Sequence, residues 1–129
     1  MVKKVSCPSE SLRKEYIAAN AIGNHKNLLR LVDASIDDPS DPLLVFDMIR
    51  GQNLFNVLTH SDFGPRYFKG KESWSRFFFR QFLSGLYKIH QADFAHLDLR
   101  IDHLFINIEK NEKGMLEPCL KFIDLGSAH

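Results

Sequence analysis

The chain has 129 residues, 44% of them hydrophobic, which is ample for one packed domain and argues against disorder. Its 17 basic and 16 acidic side chains leave a net charge of +1, so no bulk field draws it to nucleic acid or to an anionic membrane, and partners must be recognised at local sites. Cys7 and Cys119 are the only cysteines, and neither an amino-terminal apolar run nor a bilayer-length stretch is present. Free thiols in a cytoplasmic or nuclear setting are the expectation.

In chain order, Val2-Lys3-Lys4-Val5 reads as the end of a strand, and Cys7-Pro8-Ser9 as a break. Residues 10–22 read as a helix: Ser9 can cap it, Glu10 suits the positive end of its dipole, Leu12, Tyr16 and Ala19 share a face, and Gly23 stops it. Residues 28–36 alternate and are rich in branched side chains, which predicts a strand. The Asp and Pro cluster over 37–42 is a turn, and 43–48 forms the second member of an antiparallel pair. After the turn Arg50-Gly51-Gln52 comes a short helix over 53–59, then a loop over 61–70 containing Gly64-Pro65.

The strongest periodicity lies in 72–91, where Trp74, Phe77, Phe78, Phe82, Leu86 and Ile89 make one continuous stripe along a long helix, the Phe77-Phe78-Phe79 run reading as core plus one exposed ring. Short strands are expected at 94–99, 104–108 and 120–123, with a polar turn over 109–114. Asp98 and Asp124 each stand where an apolar run stops. Carboxylates at the mouths of strands are the makings of a phosphate- or metal-handling site.

That order of elements, ending in His96-Leu97-Asp98 and Asp124-Leu125-Gly126, resembles the eukaryotic protein kinase catalytic domain from its lysine-bearing third strand to its Asp-Phe-Gly motif. The resemblance implies an α+β, protein-kinase-like fold, with residues 1–49 forming part of the small lobe and the hinge, and 50–129 the first part of the helical large lobe. It implies ATP and magnesium as cofactors and a protein as substrate or partner. Lys3 falls where the family grips the α- and β-phosphates, and Glu15 where it keeps the partner of that lysine. Phe46 corresponds to the gatekeeper, and the backbone of Asp47 and Ile49 to the adenine contacts, with Phe105 completing the nucleotide set. Asp98 corresponds to the base that accepts the substrate hydroxyl's proton, Arg100 to the cation on the γ-phosphate, and Asp124 to the magnesium ligand. His96 is implied to be structural.

The chain also departs from the pattern. His103 stands where the family keeps an asparagine for the second metal, and a neutral imidazole is a poor magnesium ligand. Leu97 replaces an arginine that would meet a phosphorylated activation loop. The sequence starts at Lys3's strand without a glycine-rich loop and stops at His129 short of an activation segment, so the isolated chain is expected to be inactive and marginally stable. The implied activity is phosphoryl transfer to protein hydroxyls, serine or threonine ahead of tyrosine. The alternatives are a catalytically inactive pseudokinase or kinase remnant that binds a partner protein, and an unrelated small α+β binding module.

Overall fold

A computed structural model describes residues 2–4, 9–38, 41–60 and 72–129. The elements are β1 (Val2–Lys4), α1 (Ser9–Ile22), β2 (Leu31–Ser35), β3 (Leu43–Phe46), β4 (Gln52–Asn53), α2 (Leu54–Thr59) and α3 (Glu72–Gln91). A 3-10 turn (Ile101–His103) and the hairpin strands β5 (Leu104–Lys110) and β6 (Leu116–Phe122) complete them among the described residues. They form two small antiparallel sheets of order β1-β3-β2 and β4-β5-β6. The architecture is α+β, as expected.

The expected elements recur with shifted limits. The helix over 72–91 has the predicted extent, because its stripe is long enough to fix both ends. Ser9 lies inside α1 rather than capping it. Gly23 does end that helix: at φ +73 its amide donates to the Ala19 carbonyl at 3.0 Å, closing the last turn in the left-handed conformation that glycine adopts at little cost. The strand expected over 28–36 shrinks to β2, and Leu28 is held instead by an isolated parallel bridge to Phe122. Residues 94–99 are not a strand, since their partners are loop backbone: Ala95 and His129 exchange amide-to-carbonyl bonds of 2.9 and 3.1 Å. The hairpin is longer than predicted, because Ile108-Glu109-Lys110 continues to pair with Leu116-Glu117-Pro118 despite its polar character. Asn53 serves both β4 and α2, its side chain accepting from the Asn56 amide as an N-cap. The loop expected over 61–70 and Cys7 lie outside the described residues.

Two apolar clusters follow from this arrangement. Leu12, Leu44 and Phe46 are buried together where α1 lies on the first sheet. The larger cluster joins Ala18 and Ile22 of α1 to Phe78 and Ile89 of α3 and to Leu104, Ile106, Leu120 and Phe122 of the hairpin. Helix α1 contributes to both. Gly85 allows α3 to approach the hairpin, because a Cβ there would stand 2.6 Å from Phe122. Phe79, Leu83 and Tyr87, spaced by four on the opposite face of α3, are exposed. Among the described residues no helix is long and apolar enough to cross a membrane.

Candidate functional site

Asp98 and Asp124 are carried by two segments that the fold ties together. The Ile123 amide donates to the His103 carbonyl at 3.0 Å, and the Ala95–His129 exchange closes the loop from its other end. Beneath them lies His96, 2% exposed, with its ring 5.8 Å from that of Phe122. Its Nδ1 accepts from the Asp98 amide at 3.3 Å, and Nε2 lies against the backbone of Ile123 without a hydrogen bond of regular geometry. Burial lowers its pKa first, and the charge of His103 lowers it further, against opposing pulls from the Ile123 backbone, Asp124 and Asp98. A neutral structural histidine results.

Leu97 and Asp124 both have left-handed backbone, at φ 62, which a leucine adopts only when its surroundings impose it. Asp124 tolerates that geometry more easily, because its Oδ1 accepts from the Gly126 amide at 3.0 Å in a local turn. The left-handed backbone at Leu97, next to the buried His96, and at Asp124 turns the chain at each acid.

His103 is turned toward Asp98: its Nδ1 lies 3.1 Å from the Asp98 carbonyl and 3.5 Å from the carboxylate. Arg100 folds back onto Asp102 through two hydrogen bonds of 3.0 and 2.9 Å, a pairing the sequence reading did not anticipate. That pair depresses the Asp102 carboxyl, chiefly through the hydrogen bond from Arg100. Asp124 offers oxygen, the donor magnesium prefers, whereas His103 offers a nitrogen already engaged with Asp98. Among the described residues no group of three or more His, Cys, Asp or Glu side chains is gathered as a metal would need, so Asp124 stands as a single oxygen donor to which His103 adds none.

Elsewhere, Phe46 is buried in β3 opposite Val2 and Leu31. Asp47 and Ile49 follow it directly, and the Asp47 amide is taken by the Arg30 carbonyl at 3.0 Å. The side chains of those two residues pair as well, at 2.7 and 3.2 Å, and Arg30 draws the Asp47 carboxyl below its ordinary value. Phe105 is half-buried in β5, in register with Asn53 and Lys121. Lys3 lies in β1 opposite Val45, and its side chain is outside what the structure describes. Glu15 is 3% exposed on α1, a depth at which a carboxylate requires compensation.

The model of the protein kinase domain matches residues 1–129. The chain belongs to the protein kinase family. Curated relatives of this kinase chain include a "probable serine/threonine-protein kinase KIN1 homolog" of Encephalitozoon cuniculi, 28% identical over 85% of the chain. Others are a maternal embryonic leucine zipper kinase of Xenopus tropicalis, 30% identical over 80%, and a hormonally up-regulated neu tumor-associated kinase of Homo sapiens, 27% identical over 96%. The chain spans 18%, 14% and 15% of those three proteins respectively, so it corresponds to a small part of each.

Two residues have supporting roles that the sequence did not assign: Asn27, within the Asn24-His25-Lys26-Asn27-Leu28 stretch that resembles the family's His-Pro-Asn entry to a strand, and Gln81. Asn27 is fully buried and donates to the Leu120 carbonyl at 2.8 Å and to Gln81 Oε1 at 3.0 Å. Gln81 also accepts from the Leu120 amide at 2.9 Å and donates to the Pro118 carbonyl at 3.1 Å, pinning α3 to the strand that leads into Asp124. A readable signal existed for Gln81: it is a polar side chain three residues after Phe78, on the apolar stripe of α3.

Proposed function

We propose that this chain is the nucleotide-facing core of an ATP-dependent protein kinase, residues 1–49 belonging to the small lobe and hinge and 50–129 to the large lobe. The observation that carries the reading is the pair of acid-bearing segments locked together over buried His96, by Ile123 on His103 and Ala95 on His129. Phosphoryl transfer needs positioning and charge neutralisation above all, which a strained, cross-tied pair of carboxylate loops provides. On this reading the carbonyl of Asp47 and the amide of Ile49 hold the adenine, Phe46 limits its depth and Phe105 packs against it. Lys3, oriented by Glu15, grips phosphate; Asp98 takes the proton of a serine or threonine hydroxyl; Arg100, released from Asp102, steadies the transferred group. Asp124 would hold magnesium, which supplies the positive charge that offsets the phosphates.

A second reading, a kinase-like chain that binds a partner protein without transferring phosphate, is favoured by one observation: His103 Nδ1 lies against Asp98 where an oxygen ligand would be needed. The test is thermal unfolding with ATP and magnesium. At a hundredfold excess over the dissociation constant, binding adds about 2.7 kcal/mol of stability. Asp124→Asn is expected to remove the magnesium-dependent part. No shift in a folded sample would refute the nucleotide reading. A shift without transfer of labelled phosphate to a protein substrate would select the second reading.

A further inference from the structure

A cleft of about 520 Å³ opens between loop 24–30, the residues that follow β3, and the β5–β6 hairpin. Its walls include Lys26, Leu29, Arg30, Met48, Glu109 and Lys121. A second cleft of about 520 Å³, along the hairpin toward Met115, shares Lys26 and Glu109 with the first. The two therefore run on from one another past Lys26. Such a path is longer than a small anion needs and suits an extended chain.

The charge of the first cleft is unbalanced, whereas the second sets Lys26, Lys110 and Lys113 against Glu109, Glu112 and Glu117. Both acids of the first cleft are already matched: Asp47 by Arg30 at 2.7 Å, and Glu109 by Lys121 at 3.1 Å and Asn107 at 3.0 Å. Burial alone would raise the Glu109 carboxyl, but Lys121 and Asn107 bring it below its ordinary value. Lys121 is also anchored on the Lys26 carbonyl at 2.7 Å. The exposed Lys26 ammonium has no ion-pair partner among the described residues. The imidazole of His25 registers the surplus: after burial, the charges of Lys26, Lys88 and Lys121 lower its pKa. Met48, 57% exposed, and half-buried Leu29 and Ile49 put apolar surface beside that positive charge.

We propose that this cleft is a docking site for an acidic, extended segment of a partner protein, a carboxylate meeting Lys26 and an apolar side chain lying on Met48 and Leu29. The site uses neither Asp98 nor Asp124, but Asp47 and Ile49, which carry the adenine contacts proposed above, also line it. The test is fluorescence anisotropy on the whole chain with a labelled peptide of alternating glutamate and leucine, against its lysine–leucine counterpart. The acidic peptide is expected to bind, with affinity falling as salt rises, and the basic one not to bind. Lys26→Glu and Met48→Glu, both at exposed positions and checked for folding by circular dichroism, are each expected to weaken binding tenfold or more. The proposal is overturned by equal binding of the two peptides, by no binding of the acidic one, or by affinities within twofold of wild type in both variants. Full displacement by millimolar inorganic phosphate would also overturn it, making the cleft a small-anion site.

Discussion

Replacing Gly85 by alanine sets two effects against each other inside α3. Alanine in a helix interior is favoured over glycine by about 1 kcal/mol. Against this, the new methyl carbon would stand 2.6 and 2.8 Å from two ring carbons of Phe122 and 3.2 Å from the Asn27 Cβ. The ring has little room to yield. Phe82 lies 5.3 Å from it and His96 5.8 Å, while the Phe122 backbone is bonded to Asn27 at 2.8 Å and to Leu29 at 2.9 Å. Overpacking a well-filled core costs about 1–3 kcal/mol, so the variant is expected to lose about 1 kcal/mol net. With an unfolding entropy of about 270 cal/mol/K for a chain of this length, that is a drop in Tm of about 4 °C. Urea unfolding with unchanged m-value measures it, and Phe122→Leu in the same background should recover part of the loss through a favourable coupling. A Gly85→Ala chain as stable as wild type, or more so, would refute the reasoning, because helix propensity would then outweigh the contact with Phe122.

Asn27→Ala removes hydrogen bonds to Leu120 and Gln81 at a fully buried position and is expected to cost about 2–3 kcal/mol by the same urea assay; a loss under 1 kcal/mol would contradict it. The pKa values of His96 and His25 are lowered in the folded state, so the unfolded chain binds more protons below pH 6.5. Their contribution is complete above pH 6.5 and is lost as pH falls through the depressed folded values. The urea midpoint should fall between pH 7.5 and 5.5, before the carboxylates titrate, and an unchanged midpoint would contradict the burial of these imidazoles. Burial raises the Cys119 thiol to about 11, so iodoacetamide at pH 8 should leave it unmodified in the folded chain and alkylate it in urea. Rapid alkylation in native buffer, mapped to Cys119, would refute this.

Periodicity alone located α3, since Trp74 through Ile89 repeat over about four turns and any shift would turn aromatic rings into water. The antiparallel pairing of β2 with β3 was equally legible, because the turn residues between them leave two short branched runs free to pair back. Linear patterning also singled out Asp98 and Asp124, and the resemblance to the kinase family marked the departure at His103, as each is a question of which residue stands where along the chain. What His103 touches was not legible: its contact with Asp98 depends on the 3-10 turn over Ile101–His103, and Arg100's attachment to Asp102 depends on side-chain geometry that no spacing rule contains. The strand expected over 94–99 failed because an apolar run makes a strand only if another strand offers it a free edge, and here Ala95 meets His129 instead. The positive φ of Leu97 and Asp124, and the network from Asn27 through Gln81 to Leu120, are likewise products of packing between residues distant in sequence. The sequence by itself determined which chemical groups the chain carries and in what order. The tertiary structure decided which of them meet, because only contacts between distant segments can hold a leucine in left-handed backbone, bury a neutral histidine beneath two acids, or leave Lys26 beside a cleft with no ion-pair partner among the described residues.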